Sequence, residues 1–376
     1  MSYTGLGDIM NGDPNKTQLK TLLSDTLEGH RMTVDEATSL LKLNDRRIFD
    51  VCDAADELRE RKVGDTVTYV RNQNVHVTNI CKNLCRFCAF GKPDSSPQAY
   101  LRSEEQIREG IRLAKERNVT EICLLSGVNP DFDARRYAQI IGWVHDEFPG
   151  VDIHTMSPDE IRHCADKSGI STKEVIQMMI DAGLGTLQGT GAEILVDEVR
   201  DVICPVKVKT AEWSRIIREA HSLGLKSTST IMYGSVESER DRAEHLGVLR
   251  GIQDETHGFT ELVPLPYLHT NTELYEKGLA PAGATGRNDL LFCAVSRLFL
   301  DNIDNIQVSW GKLGKKFSQM LLLSGANDLG GTMFTDEVTQ DAGGNEADYL
   351  SPAEMERLTV DIGRKLRQRT TDYRLL

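Results

Sequence analysis

Short β-branched or apolar runs alternate with amphipathic stretches along most of the chain, and this rhythm constrains the fold more than any other feature. Eight strand candidates follow one another on the order of 35 residues apart, which suits the strand–helix units of a parallel sheet. They cover Thr66–Asn79, Glu121–Ser126, Val151–Thr155, Thr186–Gln188, Lys226–Met232, Thr260–Leu265, Asn305–Ser309 and Ala326–Leu329. Eight units of this kind predict an α/β protein built as a (βα)8 barrel of the TIM type.

The stretches between the strand candidates have the apolar periodicity of helices. Helices are predicted at Ser103–Arg117, Ala134–Glu147, Thr172–Ala182, Ala211–Leu223, Glu239–Glu255, Arg287–Leu300 and Lys315–Leu323. An open, doubly wound sheet is the alternative architecture. The barrel is favoured because no GxGxxG turn joins the first strand to the first helix, where a dinucleotide-binding sheet carries it.

The segment before the first strand is predicted to be helical. Apolar residues recur there at helix spacing from Lys16 to Lys62. Thr33 followed by Glu36 is the pattern of a capping box at a helix start. We therefore divide the chain into a helical N-terminal extension, residues 1–63, and a barrel with C-terminal helices, residues 64–376.

Three segments rich in Gly, Pro and Asp are predicted to be loops. They are Pro93–Pro97, Pro264–Gly286 and Thr335–Asp348, and the last two are long enough to be functional rather than mere connections. In a (βα)8 barrel the active site is assembled from loops at the carboxyl ends of the strands. Both long loops follow strands in this sense.

The acidic composition argues against one class of partner. The 376 residues include 57 Asp and Glu but only 44 Lys and Arg, so the net charge of −13 repels nucleic acid. No apolar run approaches the roughly 20 residues of a membrane-spanning helix. Met1–Gln18 lacks the basic and apolar regions of a signal peptide. We therefore expect a cytoplasmic protein with no nucleic-acid or membrane partner.

Three of the eight cysteines stand within eight residues, at Cys81, Cys85 and Cys88, directly after the first predicted strand. The others are scattered singly and are interpreted as small buried residues: Cys52, Cys123, Cys164, Cys204 and Cys293. Thiolates spaced this closely can converge on one metal centre, and sulfur ligands suit an iron–sulfur cluster or zinc. A zinc site would need a fourth ligand, for which His76 is the nearby candidate, although it should lie inside the strand.

The CxxxCxxC spacing, with an aromatic residue before the third cysteine and a strand before the first, resembles the radical S-adenosylmethionine (SAM) superfamily. The resemblance implies a 4Fe-4S cluster on Cys81, Cys85 and Cys88. It also implies that SAM binds the fourth iron and is cleaved to a 5'-deoxyadenosyl radical after one-electron reduction. A closed barrel lumen would shield such a radical from water.

Several downstream segments resemble the CofH family within that superfamily. They are Gly189–Leu195 with Ile203–Pro205, Ser229–Gly234, Leu262–Tyr267 with His269, Asn305–Trp310, Gly325–Thr332 and Arg367–Thr371. The resemblance implies that the radical abstracts hydrogen from the amino group of L-tyrosine and that the Cα–Cβ bond then breaks. The 4-hydroxybenzyl fragment would add to 5-amino-6-(D-ribitylamino)uracil in the biosynthesis of the deazaflavin FO. Expected partners are a CofG-like subunit and a one-electron donor such as ferredoxin or flavodoxin.

Candidate site residues follow from the resemblance and from their places after predicted strands. The cofactor-binding candidates are Phe87, Ser126, Gly127 and Glu193; the catalytic candidates are Tyr233, His269 and Asp328; the substrate-binding candidates are Asn129, Ser235, Trp310 and Asn327. Each has a simpler interpretation. Glu193 could be an ordinary carboxylate at a helix start, His269 a surface histidine, and Asn327 with Asp328 part of a tight turn.

The sequence departs from the family pattern at three loops. Asn129, Ser235 and Asn345 stand where CofH proteins usually have histidine. Because histidine carries protons near neutral pH and can bind a phenol or an amide, its loss favours a second hypothesis. This is a divergent CofH-like or MqnE-like radical SAM protein that acts on another amino acid or acceptor. A third hypothesis is a metal-bearing protein without turnover.

Overall fold

The computed structural model describes residues 14–344 and 348–376, so Asn345 lies outside the described residues. Nine strands are present in the described part: β1 Thr66–Val70, β2 Asn72–Thr78, β3 Glu121–Ser126, β4 Asp152–Thr155, β5 Thr186–Leu187, β6 Ser227–Tyr233, β7 Phe259–Pro266, β8 Asp328–Gly331 and β9 Lys365–Gln368. Most of them start or end within two residues of the bounds that the sequence predicts.

Sixteen helices surround the strands in the same part of the chain. They are α1 Lys16–Leu27, α2 Val34–Leu41, α3 Ile48–Val63, α4 Glu104–Glu116, α5 Ala134–Glu147, α6 Pro158–Ser168, α7 Thr172–Asp181, α8 Asp197–Ile203, α9 Thr210–Ser222, α10 Glu239–Thr256, α11 Glu273–Glu276, α12 Gly286–Phe299, α13 Trp310–Leu313, α14 Lys315–Leu322, α15 Glu337–Asp341 and α16 Pro352–Val360. No described helix combines the length and the apolar character that crossing a membrane requires.

The strands form a closed parallel barrel. Strands β2 to β7 pair in chain order, and β8 pairs with β1, which continues into β2 after a single residue. Two isolated bridges connect the remaining edges, because Ile306 pairs in parallel with Leu262 of β7 and Gln307 with Asp328 of β8. The segment at residues 306–307 therefore takes the place of the seventh barrel strand, between β7 and β8. The predicted (βα)8 barrel is confirmed.

The first predicted strand, Thr66–Asn79, is divided at Arg71 into β1 and β2. Because of this division, the two halves of the predicted strand have different neighbours along the same edge. β1 pairs with β9, and β2 pairs with β3. Strand β9 escapes prediction because its four residues alternate between exposed and half-buried and two of them are basic. It places the C-terminal tail at the amino end of the barrel.

The predicted strand at Asn305–Ser309 is reduced to its two bridge residues, and the one at Ala326–Leu329 moves to Asp328–Gly331. An asparagine side chain explains the loss of regular pairing. The Asn327 Oδ1 accepts a hydrogen bond of 2.9 Å from the backbone N–H of Ile306. The side chain thus replaces part of the ladder that a longer strand would form.

Helices α1 to α3 fill the segment that was predicted to be helical. The capping box of Thr33 and Glu36 at the start of α2 is confirmed, and α3 ends at Gly64, whose φ is +65°. Helix α3 packs against α12, and α2 packs against α10 and α12. The N-terminal helices therefore extend the outer helical layer and leave the carboxyl ends of the strands to the loops.

Candidate active site

A loop at residues 79–92 follows β2 and carries the three clustered cysteines. Backbone hydrogen bonds fold it back on itself: the Cys81 N–H donates to the Lys92 carbonyl at 2.9 Å, and the Lys92 N–H donates to the Asn79 carbonyl at 2.8 Å. The Cys88 N–H donates to the Cys85 carbonyl at 2.9 Å. The loop therefore brings the thiols to the carboxyl end of the barrel, where barrel active sites lie.

The thiols have the surroundings that a 4Fe-4S cluster needs. A Cβ atom built on Gly91 would lie 3.8 Å from the Cys88 Sγ and 3.9 Å from the Cys81 Sγ, so both sulfur atoms border the same space. The Gly91 N–H donates to the Cys88 Sγ at 3.3 Å, and hydrogen bonds of this kind orient the sulfur ligands of a metal centre. Burial raises the pKa of the Cys85 thiol well above its ordinary value, so metal binding would have to favour the thiolate.

His76 lies inside β2, as predicted, and is buried. Its ring packs at a tilt against Phe90, with 5.8 Å between the ring centroids, and its Nδ1 lies 3.8 Å from the Glu337 Oε1. Within the described residues, no three His, Cys, Asp or Glu side chains gather around the position of a single ion. A 4Fe-4S cluster does not require this, because each thiolate binds a different iron.

Gly127 packs directly against the cysteine loop. A Cβ atom at this position would lie 2.4 Å from the Ile80 carbonyl oxygen and 3.0 Å from the Cys81 Cβ. Only glycine allows the end of β3 to approach the loop this closely. The Ser126 hydroxyl donates to the Gly127 carbonyl at 2.7 Å. The structure thus brings both predicted cofactor-binding residues to the loop that holds the thiols.

Glu193 also lies beside the loop, in a buried network of charges. Its Oε1 is 2.6 Å from the Lys207 Nζ, which lies 3.9 Å from the Asp159 Oδ2. The same ammonium group is 5.7 Å from the centroid of the Phe87 ring. Glu193 has a φ of +44°, which non-glycine residues rarely adopt. Lys207 is a site residue that the sequence analysis missed, because nothing in its local pattern distinguishes it from a surface lysine.

Two cavities adjoin at this end of the barrel. The first, here called the cluster cavity, is about 240 Å³ and is bordered by Phe87, Cys88 and Glu193. The second, the lumen cavity, is about 230 Å³ and runs down the barrel interior from Thr190 to Arg369. Residues that border both cavities are Thr190, Thr230, Leu265, Lys312 and Val338. The thiol loop therefore opens onto the barrel interior.

Lys312 stands where the cavities meet, on the short helix α13, and also borders a third cavity beside His269. Its Nζ donates to the Thr339 hydroxyl at 2.5 Å. Burial lowers the pKa of this lysine, and the nearby carboxylate of Asp336 partly offsets the effect. The sequence analysis singled out Trp310 on the same helix and missed Lys312.

Tyr233 and His269 do not border the lumen cavity. Residues 228 and 230 of β6 line the lumen, so alternation places Tyr233 on the outer face of the strand. Its hydroxyl donates to the Asp289 Oδ1 on α12 at 2.7 Å. His269 packs edge-on against Tyr275, with 4.4 Å between the ring centroids. Tyr233 is thus turned toward the outer helices, while His269 lines the third cavity together with Lys312.

Asp328, Asn327 and Trp310 are likewise engaged in structural contacts. Asp328 lies at the amino end of β8, where its Oδ2 is 2.6 Å from the Arg369 Nε, and it is fully buried. Asn327 accepts a hydrogen bond of 2.8 Å from Arg297. The Trp310 indole donates to the Gly331 carbonyl at 3.0 Å. The structure separates Asp328 from the thiols by the length of the barrel, because it lies at the opposite end of the strands.

Asn129 and Ser235, two of the positions that depart from the family pattern, bind their own loops. The Asn129 Oδ1 accepts from the Asp131 N–H at 2.9 Å. The Ser235 hydroxyl donates to the Glu237 Oε2 at 2.9 Å. Both side chains are buried, and neither borders the lumen or cluster cavity. In this chain neither residue contributes to the walls of these two cavities.

Two family models match consecutive parts of the chain. The model of the radical SAM superfamily matches residues 75–249, and the model of the CofH/MqnC C-terminal region matches residues 256–375. The first range contains the cysteine loop. The second contains Lys312 and the C-terminal tail.

The chain is similar over nearly its whole length to proteins named 5-amino-6-(D-ribitylamino)uracil–L-tyrosine 4-hydroxyphenyl transferase. The protein of Methanoculleus marisnigri is 58% identical, over 95% of this chain and 98% of the relative. That of Methanosphaerula palustris is 54% identical over 94% and 97%. That of Methanothermobacter thermautotrophicus is 41% identical over 96% and 98%.

Solved structures share the fold at low sequence identity. HydG, a maturase of the [FeFe]-hydrogenase, has a TM-score of 0.74 at 15% identity and covers 93% of this chain and 76% of its own. Methylornithine synthase (PylB) has a TM-score of 0.73 at 19% identity, over 92% and 97%. Likeness at this level of identity concerns the fold alone.

Proposed function

Because this chain belongs to the radical SAM superfamily and, within it, to the CofH family, we propose that it is a transferase of deazaflavin biosynthesis. Its substrates are L-tyrosine and 5-amino-6-(D-ribitylamino)uracil. The enzyme breaks the Cα–Cβ bond of tyrosine and joins the 4-hydroxybenzyl fragment to carbon 5 of the uracil. The observation that carries the proposal is the opening of the three-thiol loop onto the barrel interior, together with 58% identity to a relative with this name.

Cys81, Cys85 and Cys88 would hold a 4Fe-4S cluster, and SAM would bind beside it in the cluster cavity. When bound, this pair supplies a 5'-deoxyadenosyl radical after one-electron reduction. Gly127 would let the end of β3 approach the amino-acid part of SAM through its backbone. Glu193 borders the cluster cavity and would accept hydrogen bonds from the cofactor, while Lys207 orients its carboxylate.

Lys312 would bind the carboxylate of L-tyrosine. It is a half-buried cation at the junction of the cluster and lumen cavities, and partial removal from water lowers its pKa. A substrate carboxylate would add to the favourable interaction with Asp336 and further offset the cost of removing the ammonium group from water. Binding there would hold the amino group of tyrosine near the cluster cavity, where hydrogen abstraction takes place.

The barrel itself would exclude water from the reacting groups. Its wall is closed, and the C-terminal tail lies across its amino end, where the Thr371 hydroxyl donates to the Asp152 Oδ2 at 3.1 Å. A benzyl fragment released into such a lumen can add to the acceptor rather than escape. We also propose a cytoplasmic location, since all eight cysteines are free and free thiols are typical of a reducing compartment. The electron donor is proposed to be a ferredoxin or flavodoxin, and a CofG-like subunit to complete the ring.

An anaerobic assay with reconstituted cluster tests this function. The protein is given dithionite, SAM, L-tyrosine and the ribitylaminouracil, and the products are identified by mass spectrometry. We expect deoxyadenosine and the hydroxybenzyl adduct in equal amounts. Deoxyadenosine without adduct, or adduct formation from a different amino acid in a panel, would contradict the substrate assignment and favour the divergent relative.

A further inference from the structure

The loop at residues 79–92 has an inner face and an outer face. Phe87 and Cys88 lie on the inner face, where they border the cluster cavity. Leu84 and Arg86 lie on the outer face and border neither the cluster cavity nor the lumen cavity. Leu84 is 45% exposed, and its Cα lies about 3.8 Å from that of the next residue, Cys85. A protein that contacts Leu84 therefore comes close to the thiols without entering the barrel.

Exposed apolar side chains gather on this outer face. Among the residues that the structure describes, fourteen large apolar side chains are exposed, and five of them belong to this face: Leu84, Val202, Val206, Tyr275 and Leu279. Arg86 joins the three segments that carry them, because its N–H donates to the Ile203 carbonyl at 3.0 Å and its carbonyl accepts from the Leu274 N–H at 2.9 Å. We call the five side chains the outer patch. Apolar side chains that are exposed together mark an interaction surface.

Two segments of the outer patch are basic, although the whole chain has a net charge of −13. Residues 79–92 contain three basic residues and no Asp or Glu, and residues 202–209 contain two lysines and no Asp or Glu. Lys82 is exposed and forms no ion pair with any described residue. Glu273, at the edge of the patch, is paired with Arg86 at 3.6 Å. An acidic partner can therefore approach this acidic chain at the outer patch.

We propose that the outer patch is the docking surface for the acidic one-electron carrier protein that reduces the cluster. This inference rests on the proposed function, because it requires a cluster on the three thiols. The carrier is oxidised by one electron and the cluster is reduced by one, with no transfer of atoms. Such an encounter needs a short route between the redox groups and a small interface with an apolar centre and a polar rim. A CofG-like subunit, which receives a small molecule, needs no contact beside the cluster.

The first test measures binding of the carrier without turnover. The probes are an oxidised ferredoxin and an oxidised flavodoxin, and calorimetry gives their dissociation constants with the cluster-loaded protein at low ionic strength. Leu84→Glu and Val206→Glu should each weaken binding about tenfold or more, because each places a carboxylate at the centre of the interface. Val360→Glu is the matched control and should bind as the wild type does, because Val360 is as exposed as Val206, at 60%, but lies on α16 outside the outer patch.

The second test compares two reductants in the formation of deoxyadenosine from SAM. Dithionite needs no docking surface, so Leu84→Glu and Val206→Glu should match the wild type in rate and in iron content. With the reduced carrier, both variants should need about tenfold more carrier for the half-maximal rate. Lys82→Glu should also raise this concentration, and its effect should diminish as salt is added, because salt screens exposed charges.

Three results would overturn the docking surface. They are equal losses with dithionite and with the carrier, unchanged binding of the carrier by both glutamate variants, and failure of the wild type to bind either carrier. Variants that lose only the reaction completed by a CofG-like subunit would assign the outer patch to that subunit instead. Carrier-driven cleavage of SAM with no hydroxybenzyl adduct would contradict the proposed substrates and leave the docking surface in place.

Discussion

The two ends of the barrel use polar residues in opposite ways. At the amino end buried charged groups bind one another: Arg369 lies 2.6 Å from Asp328, and the Tyr373 hydroxyl donates to Glu261 at 2.5 Å. At the carboxyl end Cys88 and Lys312 border the cluster cavity, where a ligand can reach them. The comparison shows that burial alone does not identify a functional residue. The site is distinguished by polar side chains that can still bind a ligand.

The amino end also depends on sequence-distant partners. Arg369 and Tyr373 belong to the tail after β9, and the tail is held by Asp328 of β8 and Glu261 of β7. The Thr68 hydroxyl of β1 donates to the same Asp328 at 2.5 Å. The tail therefore closes the lumen through ion pairs, and we expect its loss to affect stability before it affects chemistry.

The largest effect is expected at the carboxyl end. Cys85→Ala should abolish both cluster binding and SAM cleavage, because the cluster would lose one of its three protein ligands. The thermal midpoint of the cluster-free protein should change little, since the loop is held by backbone hydrogen bonds. Iron content and deoxyadenosine formation are the measurements.

Cys52→Ala is the control for that substitution, because Cys52 is also buried but lies on α3, away from the loop. It should retain iron and activity. Full activity in Cys85→Ala would refute the assignment of the cluster to this loop.

The next largest effect is expected at the amino end. Arg369→Met leaves Asp328 and Glu261 buried without their cation, which should lower the free energy of unfolding by about 3–5 kcal/mol. Arg374→Met is a matched control in the same tail, because Arg374 is 75% exposed and its pair with Asp372 should contribute less than about 1 kcal/mol. Chemical denaturation of both variants measures the difference. Equal stabilities would show that the tail does not close the barrel in this way.

A third prediction concerns the outer layer near the carboxyl end. Burial raises the pKa of Asp289 to about 6, so folding favours its protonated form. The protonated carboxyl group of Asp289 stabilises the fold below about pH 4. This contribution to the free energy of unfolding, about 3 kcal/mol at most, is lost as the pH rises through 6. Wild-type protein should therefore lose stability relative to Asp289→Asn between about pH 4 and pH 6, as followed by thermal midpoints. A constant difference over this range would contradict the prediction.

The smallest effect is expected for Tyr233→Phe. The substitution removes one hydrogen bond to buried Asp289 and should cost about 1–2 kcal/mol of stability. Because Tyr233 faces α12 rather than the lumen, kcat should stay within a few-fold of the wild-type value. A decrease in kcat of a hundredfold or more, with stability preserved, would support a catalytic role for Tyr233. It would also show that a residue of the outer layer contributes to the chemistry.

Much of the fold is readable in the sequence because its signals are local. The strand–helix rhythm depends on side-chain periodicity within each element, and the three clustered cysteines lie within eight consecutive residues. Gly127 could also be selected as a cofactor-binding candidate, because it follows a predicted strand at the place where the radical SAM superfamily holds its cofactor. The resemblance to CofH proteins rests on such short segments as well.

The tertiary structure decided which polar residues face the lumen. A shift of one position along a strand moves a side chain from one face of the sheet to the other. The residue that a side chain then contacts can be distant in the sequence, since Asp289 is 56 residues from Tyr233. Asp328 likewise pairs with Arg369, 41 residues further along the chain. The sequence alone determined the barrel rhythm and the thiol loop. Only the tertiary contacts decided that Asp328 closes the amino end and that Lys312 borders both the cluster cavity and the lumen cavity.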